Sequence, residues 1–183
     1  MLRTCGFAAA AVVLVAVAGC AAPTADLPAR AEPAVATATV LRAVDGDTVD
    51  IRDDQRGRLR IRLLGVDAPE VHRPDWSVPV GCLGSEAARY AQDMLVGQRV
   101  AVVSDPTQDR VDRYGRTLAY LDLADGRDFA VEAARSGMVE NYVFERHPVQ
   151  RAPDIAAAEA DAKAARRGLW GPPCNGETAS VPT

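Results

Sequence analysis

Val40-Leu41-Arg42-Ala43-Val44-Asp45-Gly46-Asp47-Thr48-Val49-Asp50-Ile51 decides the fold, together with Leu59-Arg60-Ile61-Arg62-Leu63 just downstream. From Thr37 to Val66 β-branched residues are enriched, and apolar and polar side chains alternate in stretches with a period of two. That is the signature of half-buried strands. Asp45-Gly46 and the polar cluster Asp53-Asp54-Gln55-Arg56-Gly57 supply turn chemistry between them. Two more strand-like segments follow, Gln98 to Ser104 and Arg116 to Asp122. Five short strands predict a meandering antiparallel sheet curled into a partly open barrel of the OB type.

Helices interrupt and follow the strands. Ser85 is placed to cap a helix running through Val96, with Glu86 in its first turn and Gly97 past its end. Asp128 is placed to cap Phe129 to Ser136, which stops at Gly137. Pro153-Asp154 opens an Ala-rich helix running to Arg167, Gly168 ends it, and Leu169-Trp170 is expected to fold back onto the core. The expected class is therefore α+β, a five-stranded OB-type β-barrel with three α-helices. One domain over residues 36–171 is large enough for its own core.

The ends read differently. Arg3 gives a thin positive start, Phe7 to Ala18 is apolar, and Val17-Ala18-Gly19-Cys20 closes the run with small residues before a cysteine. Crossing a bilayer takes roughly 20 apolar residues, so residues 1–19 read as a cleaved export signal. Its ending resembles a bacterial lipobox, which implies lipidation of Cys20 and attachment to the outer surface of the cell membrane by lipid alone. An ordinary secretory signal, with a secreted product, and an uncleaved anchor are the alternatives. Residues 20–35, with Pro23, Pro28 and Pro33 among Ala and Thr, form a tether without apolar periodicity. Residues 172–183 form a similar tail apart from Cys174.

In the mature chain Cys82 and Cys174 remain, in no Cys-x-x-Cys or Cys/His pattern, so zinc is disfavoured. In an oxidising compartment they pair most simply, closing a loop of about 90 residues worth about 4–5 kcal/mol in the chain-entropy model. Two free thiols are the alternative. The formal net charge is −4. A nonspecific nucleic-acid binder is usually basic, so attraction to phosphate has to come from a local patch and a bound cation.

Three segments carry chemistry: Val44-Asp45-Gly46-Asp47-Thr48-Val49, Arg62-Leu63-Leu64-Gly65-Val66-Asp67-Ala68-Pro69-Glu70, and Asp112-Arg113-Tyr114-Gly115-Arg116. An EF-hand is excluded, because its fifth and twelfth positions would be Val49 and Arg56. Taken alone, Asp45-Gly46 is a hairpin turn, Glu70 a turn residue and Arg62 a strand-surface arginine beside Arg58 and Arg60. Together and in this order, from about Ala36 to Trp170, the segments resemble the calcium-dependent thermonuclease family, the relatives of staphylococcal nuclease.

The resemblance implies a role for each matching residue. Asp47 and Asp67 would be carboxylate ligands of Ca2+, with the carbonyl of Ala68 a third; the family often has Thr there. Arg62 and Arg116 would be catalytic arginines, their planar guanidiniums donating to the equatorial oxygens of an attacked phosphodiester. Glu70 would be general base on the attacking water. Arg113, Tyr114 and Tyr142 are candidates for holding substrate through phosphate pairing and base stacking, although core packing is equally open to each aromatic. Phe144 stands where a second tyrosine is common. His72 and His147 have no ligand spacing and read as loop residues.

The implied activity is a Ca2+-dependent nuclease, acting as a monomer on DNA and RNA with single strands preferred. It would leave 3′-phosphates with little sequence specificity. Two alternatives stand beside it, a catalytically silent nucleic-acid or protein binding module on the same fold, and a structural envelope lipoprotein. Silent copies lose arginines or carboxylates, whereas Asp47, Arg62, Asp67, Glu70 and Arg116 are all present.

Overall fold

The computed structural model describes residues 34–71 and 80–178. The export signal, Cys20, nearly all of the tether, His72 and the last residues of the tail lie outside the described residues. The chain order is β1 (Ala38–Ala43), β2 (Thr48–Asp53), β3 (Gly57–Leu63), β4 (Val66–Asp67), α1 (Gly84–Leu95), β5 (Arg99–Val103), β6 (Thr117–Asp122), α2 (Phe129–Arg135), β7 (Glu140–Asn141) and α3 (Ala152–Ala164).

Five strands close a barrel in the order β1-β2-β3-β6-β5, with β5 returning to β1. The predicted meander is corrected here. β3 and β6 run parallel, with Ile61 opposite Thr117, Arg62 opposite Leu118 and Leu63 opposite Ala119. Helix α1 and β5 intervene between them, so the chain can re-enter beside β3 in the same direction. The barrel is also closed, leaving no exposed edge of the kind that invites pairing with other chains. A bulge in β1, between Val40 and Arg42, shifts the register by one residue and bends the strand around the barrel.

Alternation does what the sequence predicts. Val49, Ile51, Ile61 and Leu63 point inward and are fully buried, while Arg52, Arg58 and Arg60 face out. Helix α1 buries Ala87, Ala91 and Leu95, four residues apart along one face. Ser85 does not cap it. The residue before the helix is Leu83, in the left-handed region at φ 60, with no side-chain cap. Backbone contact decides this terminus, because Gly84 lies so close that a Cβ would come 2.2 Å from the carbonyl oxygen of Glu70. Asp128 does cap α2, its Oδ1 accepting from the Ala130 amide at 2.7 Å.

Helix α3 is shorter than predicted, ending at Ala164 rather than Arg167. The backbones of Gly137 and Gly168 cross there: a Cβ on Gly168 would lie 2.2 Å from the Gly137 carbonyl oxygen, and Leu169 donates to that oxygen at 2.8 Å. That contact draws the chain out of the helix and places Leu169 in the core.

A polar network ties both helices to the barrel. Arg151 pairs with Asp122 and with Asp128, the latter at 2.7 Å, and its guanidinium lies 4.3 Å from the Tyr120 ring centre. Burial pushes the Asp105 carboxyl up, but the Tyr120 and Thr107 hydroxyls and the Gln150 and Thr107 amides all donate to it and hold it at about 2. Cys82 and Cys174 form a disulfide, with Cα atoms 5.8 Å apart, joining the tail to the chain just before α1. Among the described residues no helix is long and apolar enough to cross a membrane.

Candidate active site

The β1–β2 connection is not a solvent hairpin. Asp45, Gly46, Asp47 and Thr48 are all buried. Gly46 is wedged against two side chains, since a Cβ there would lie 2.8 Å from the Ala68 Cβ and 2.9 Å from the Ala87 Cβ. That wedge fixes Asp47. Its Oδ1 accepts from the Thr48 hydroxyl at 2.9 Å and its Oδ2 from the Ala68 amide at 2.8 Å. The turn dipeptide is therefore a packing device that locks the Asp47 carboxylate onto the backbone following Asp67.

At the end of β3 the chain reverses through Leu64 and Gly65, the latter at φ 76. The reversal is clamped from outside, because a Cβ on Gly65 would meet Ile155 at 2.6 Å and Val149 at 2.7 Å. β4 then pairs antiparallel with β7, Asp67 opposite Glu140. The turn brings Asp67 back to Arg62 despite their opposite strand parity. Arg62 Nη2 donates to Asp67 Oδ1 at 2.6 Å and lies 3.2 Å from Asp47 Oδ2, while Nη1 donates to the carbonyls of Leu63 and Val66, each at 2.7 Å.

Asp67 is half exposed, yet its carboxyl is pushed up to about 6. Desolvation is the largest cause, and repulsion from Asp47, Glu70 and Glu140 adds to it against the attraction of Arg62. Negative charge here is under-compensated by the protein. Among the described residues no three His, Cys, Asp or Glu side chains form a metal-holding group. The candidate donors are two carboxylates and the Ala68 carbonyl, hard oxygens suited to a hard divalent cation and not to a soft one. The set fits calcium in chemistry, and the acid cluster gives a cation something to neutralise.

The second arginine arrives through the parallel β3–β6 pairing, which sets the start of β6 beside Arg62. Residues 112–116 form a tight loop with Gly115 at φ 79. Asp112 organises it: Oδ1 accepts from the amides of Tyr114 and Arg116, each at 2.9 Å, and Oδ2 accepts from Arg116 Nε at 2.7 Å. Among the described residues no acceptor meets the terminal nitrogens of Arg116. Tyr114 is 68% exposed, with its ring between Arg113 at 4.8 Å and Arg116 at 5.4 Å, and Arg113 donates to its hydroxyl at 2.6 Å.

One open groove of about 900 Å³ is lined by Asp47, Arg62, Asp67, Glu70, Tyr114 and Arg116. Glu70 is held there by its backbone, its carbonyl accepting from the Gly81 amide at 2.9 Å. Arg113 stands at the rim through Tyr114. Tyr142 does not line this groove. It is 41% exposed, beside exposed Val143 and Phe144, and its amide donates to the Gly65 carbonyl at 2.9 Å. Neither Tyr114 nor Tyr142 is a core residue. Asp112, Glu140 and Gly65 received no role from the sequence and Gly46 only that of a turn, although Asp112, Gly46 and Gly65 all lay in the quoted segments.

Residues 60–172 match the family model described as staphylococcal nuclease homologue. The chain is 34% identical over 131 residues to a thermonuclease of Staphylococcus intermedius, covering 72% of this chain and 74% of that protein. It is 33% identical over 141 residues to a thermonuclease of Staphylococcus hyicus, covering 73% and 75%. An uncharacterized endonuclease of Escherichia coli is 28% identical over 131 residues, covering 72% and 74%.

Proposed function

The chain belongs to the staphylococcal nuclease family, and from that premise we propose that it is a calcium-dependent nuclease hydrolysing phosphodiester bonds of DNA and RNA. The observation that carries this is the meeting of Arg62, Arg116, Glu70 and an acid pair in one groove, from three separate segments of chain.

Asp47, Asp67 and the Ala68 carbonyl would hold the calcium, which supplies charge neutralisation for the phosphate and activation of water when bound. Glu70 accepts the proton of the attacking water. The terminal nitrogens of Arg116 donate to phosphate oxygens that gain charge as the bond to the leaving oxygen lengthens. Arg62 is anchored by two backbone carbonyls and presents its Nη2 edge between the carboxylates. It lines the same groove as Arg116. Tyr114 is exposed beside two guanidiniums, a basic and aromatic combination suited to a phosphate and its base. Cleavage leaving 3′-phosphates, little sequence specificity, a preference for single strands and a monomeric state belong to the same proposal.

The purified protein is expected to cleave single-stranded DNA and RNA with calcium and to stop in chelator. Magnesium should substitute poorly, since it demands tighter octahedral geometry. Full activity in chelator would remove this mechanism, and binding without cleavage would leave the silent module.

The small-residue sequence ending at Cys20 supports export and lipid attachment as a further part of the proposal. Wild-type protein is expected to fractionate with membranes and a Cys20→Ala variant to leave them or to accumulate as precursor. Recovery of the wild type in the medium without lipid, by mass spectrometry, would make it a secreted enzyme instead.

A further inference from the structure

The groove does not end at the candidate catalytic groups. It continues along the outer face of β2 and β3, past Asp50 and Leu59, to Arg60 and Arg58. On β3, Arg58, Arg60 and Arg62 occupy alternate positions and so project from the same face, roughly 6.7 Å apart at the usual strand rise. Arg62 is the member inside the site. Arg42 joins the row from β1, sharing Asp50 with Arg60: each lies 2.7 Å from that carboxylate. The arginines Arg42, Arg52, Arg58 and Arg60 are all exposed, and Asp50 pairs with only two of them, in a chain whose formal net charge is −4.

The far end of the row breaks a rule of sheet stability. Arg52 and Arg58 are directly opposite each other across β2 and β3. Like charges at such positions repel and destabilise the pair. Among the described residues neither has a hydrogen-bond or ion-pair partner, whereas Arg42, Arg56, Arg60 and Arg99 each have a carboxylate. Folding gains nothing from this arrangement, but a polyanion would.

We propose that the β2–β3 face is a second phosphate-binding track. It would carry the nucleic-acid strand onward from the phosphate held at Arg62, with Arg60 and the Arg52–Arg58 pair taking successive phosphates. This rests on the nuclease reading for its origin at Arg62. The alternate-residue spacing is close to that of successive phosphates along a nucleic-acid strand. Leu41, Val44 and Leu59 give the groove an apolar floor beside the row. The track supplies the local basic patch that the acidic overall charge demands.

The test is an Arg52→Ala/Arg58→Ala double variant of the purified protein. Binding of a labelled oligothymidine of about a dozen nucleotides, within the span of an OB-type site, is followed by anisotropy in chelator over a salt series. Affinity at low salt is expected to fall about 10-fold, and the slope of log K against log salt to become shallower by roughly 0.7, the share of the one phosphate that the pair takes. The thermal midpoint should hold or rise, because a repulsion is relieved. With calcium, the advantage of the long oligonucleotide over a dinucleotide in kcat/KM should shrink, mainly through KM.

An unaltered salt slope and long-to-short preference, in a variant whose wild type cleaves, would overturn the track. If the wild type binds but cleaves neither substrate, the nuclease reading fails and the salt slope still decides the track. If the variant keeps its oligonucleotide binding but loses binding to phosphatidylglycerol vesicles, the face belongs to a membrane and the proposal is wrong.

Discussion

Arg62→Lys is expected to lose about 10²–10³ in kcat, the typical cost of removing one preorganised donor, and to destabilise the fold as well. The double cost follows from where the guanidinium sits. One nitrogen serves the carbonyls of Leu63 and Val66, and the other spans Asp67 and Asp47. Lysine keeps the charge but not the planar fork, so it cannot hold two carbonyls and two carboxylates together. Leaving a partly buried carbonyl without a donor costs about 1–3 kcal/mol. Arg116→Lys should show a similar rate loss with little change in stability, because Asp112 keeps its two backbone amide donors when Nε is gone. Steady-state kinetics on single-stranded DNA, beside urea unfolding of each variant, separates the two. Near-normal turnover in a destabilised Arg62→Lys protein would reduce Arg62 to a brace for the β3–β4 turn.

Glu70→Gln should cost about 10²–10⁴ in rate, the usual contribution of a positioned acid or base, at unchanged stability. Among the described residues the Glu70 side chain has no hydrogen-bond or ion-pair partner, and its position is set by the backbone contacts of Gly81 and Gly84. Glutamine fits the same space and removes the ability to take a proton, together with one of the charges that repel Asp67. Turnover within a few-fold of the wild type would take the general-base role away from Glu70. A parallel loss of calcium affinity would instead place that carboxylate among the cation's ligands.

Strand positions were legible because burial on one face writes a period-two pattern that survives in a single sequence. Ile61 and Leu63 inward with Arg60 and Arg62 outward is that pattern, and Asp128 is a cap that needs only its own helix to be recognised. Misreadings fell where a local preference met a distant backbone. Ser85 is a competent cap by chemistry, but the Glu70 carbonyl pressed against Gly84 fixes that helix end. Arg167 extends an Ala-rich helix by propensity, but the crossing of Gly137 and Gly168 pulls the chain away. The parallel β3–β6 pair was invisible for the same reason, as pairing partners far apart in sequence leave no periodic trace.

The candidate site divides along that line. The sequence alone determined which residues are capable of the chemistry: hard oxygens at Asp47 and Asp67, a free carboxylate at Glu70, and guanidiniums at Arg62 and Arg116. It did so because those capacities reside in single side chains and their order along the chain. Only the tertiary structure decided that these groups share one groove. Gly46 had to be small enough to lie against Ala68 and Ala87, Gly65 had to reverse the chain under Ile155, and β6 had to enter parallel to β3. Each of those conditions is a contact between distant segments, and at the two glycines the close packing excludes even one methyl group. Arg52 and Arg58, without an ion-pair partner among the described residues, became informative only once the register of β2 against β3 placed like charge against like.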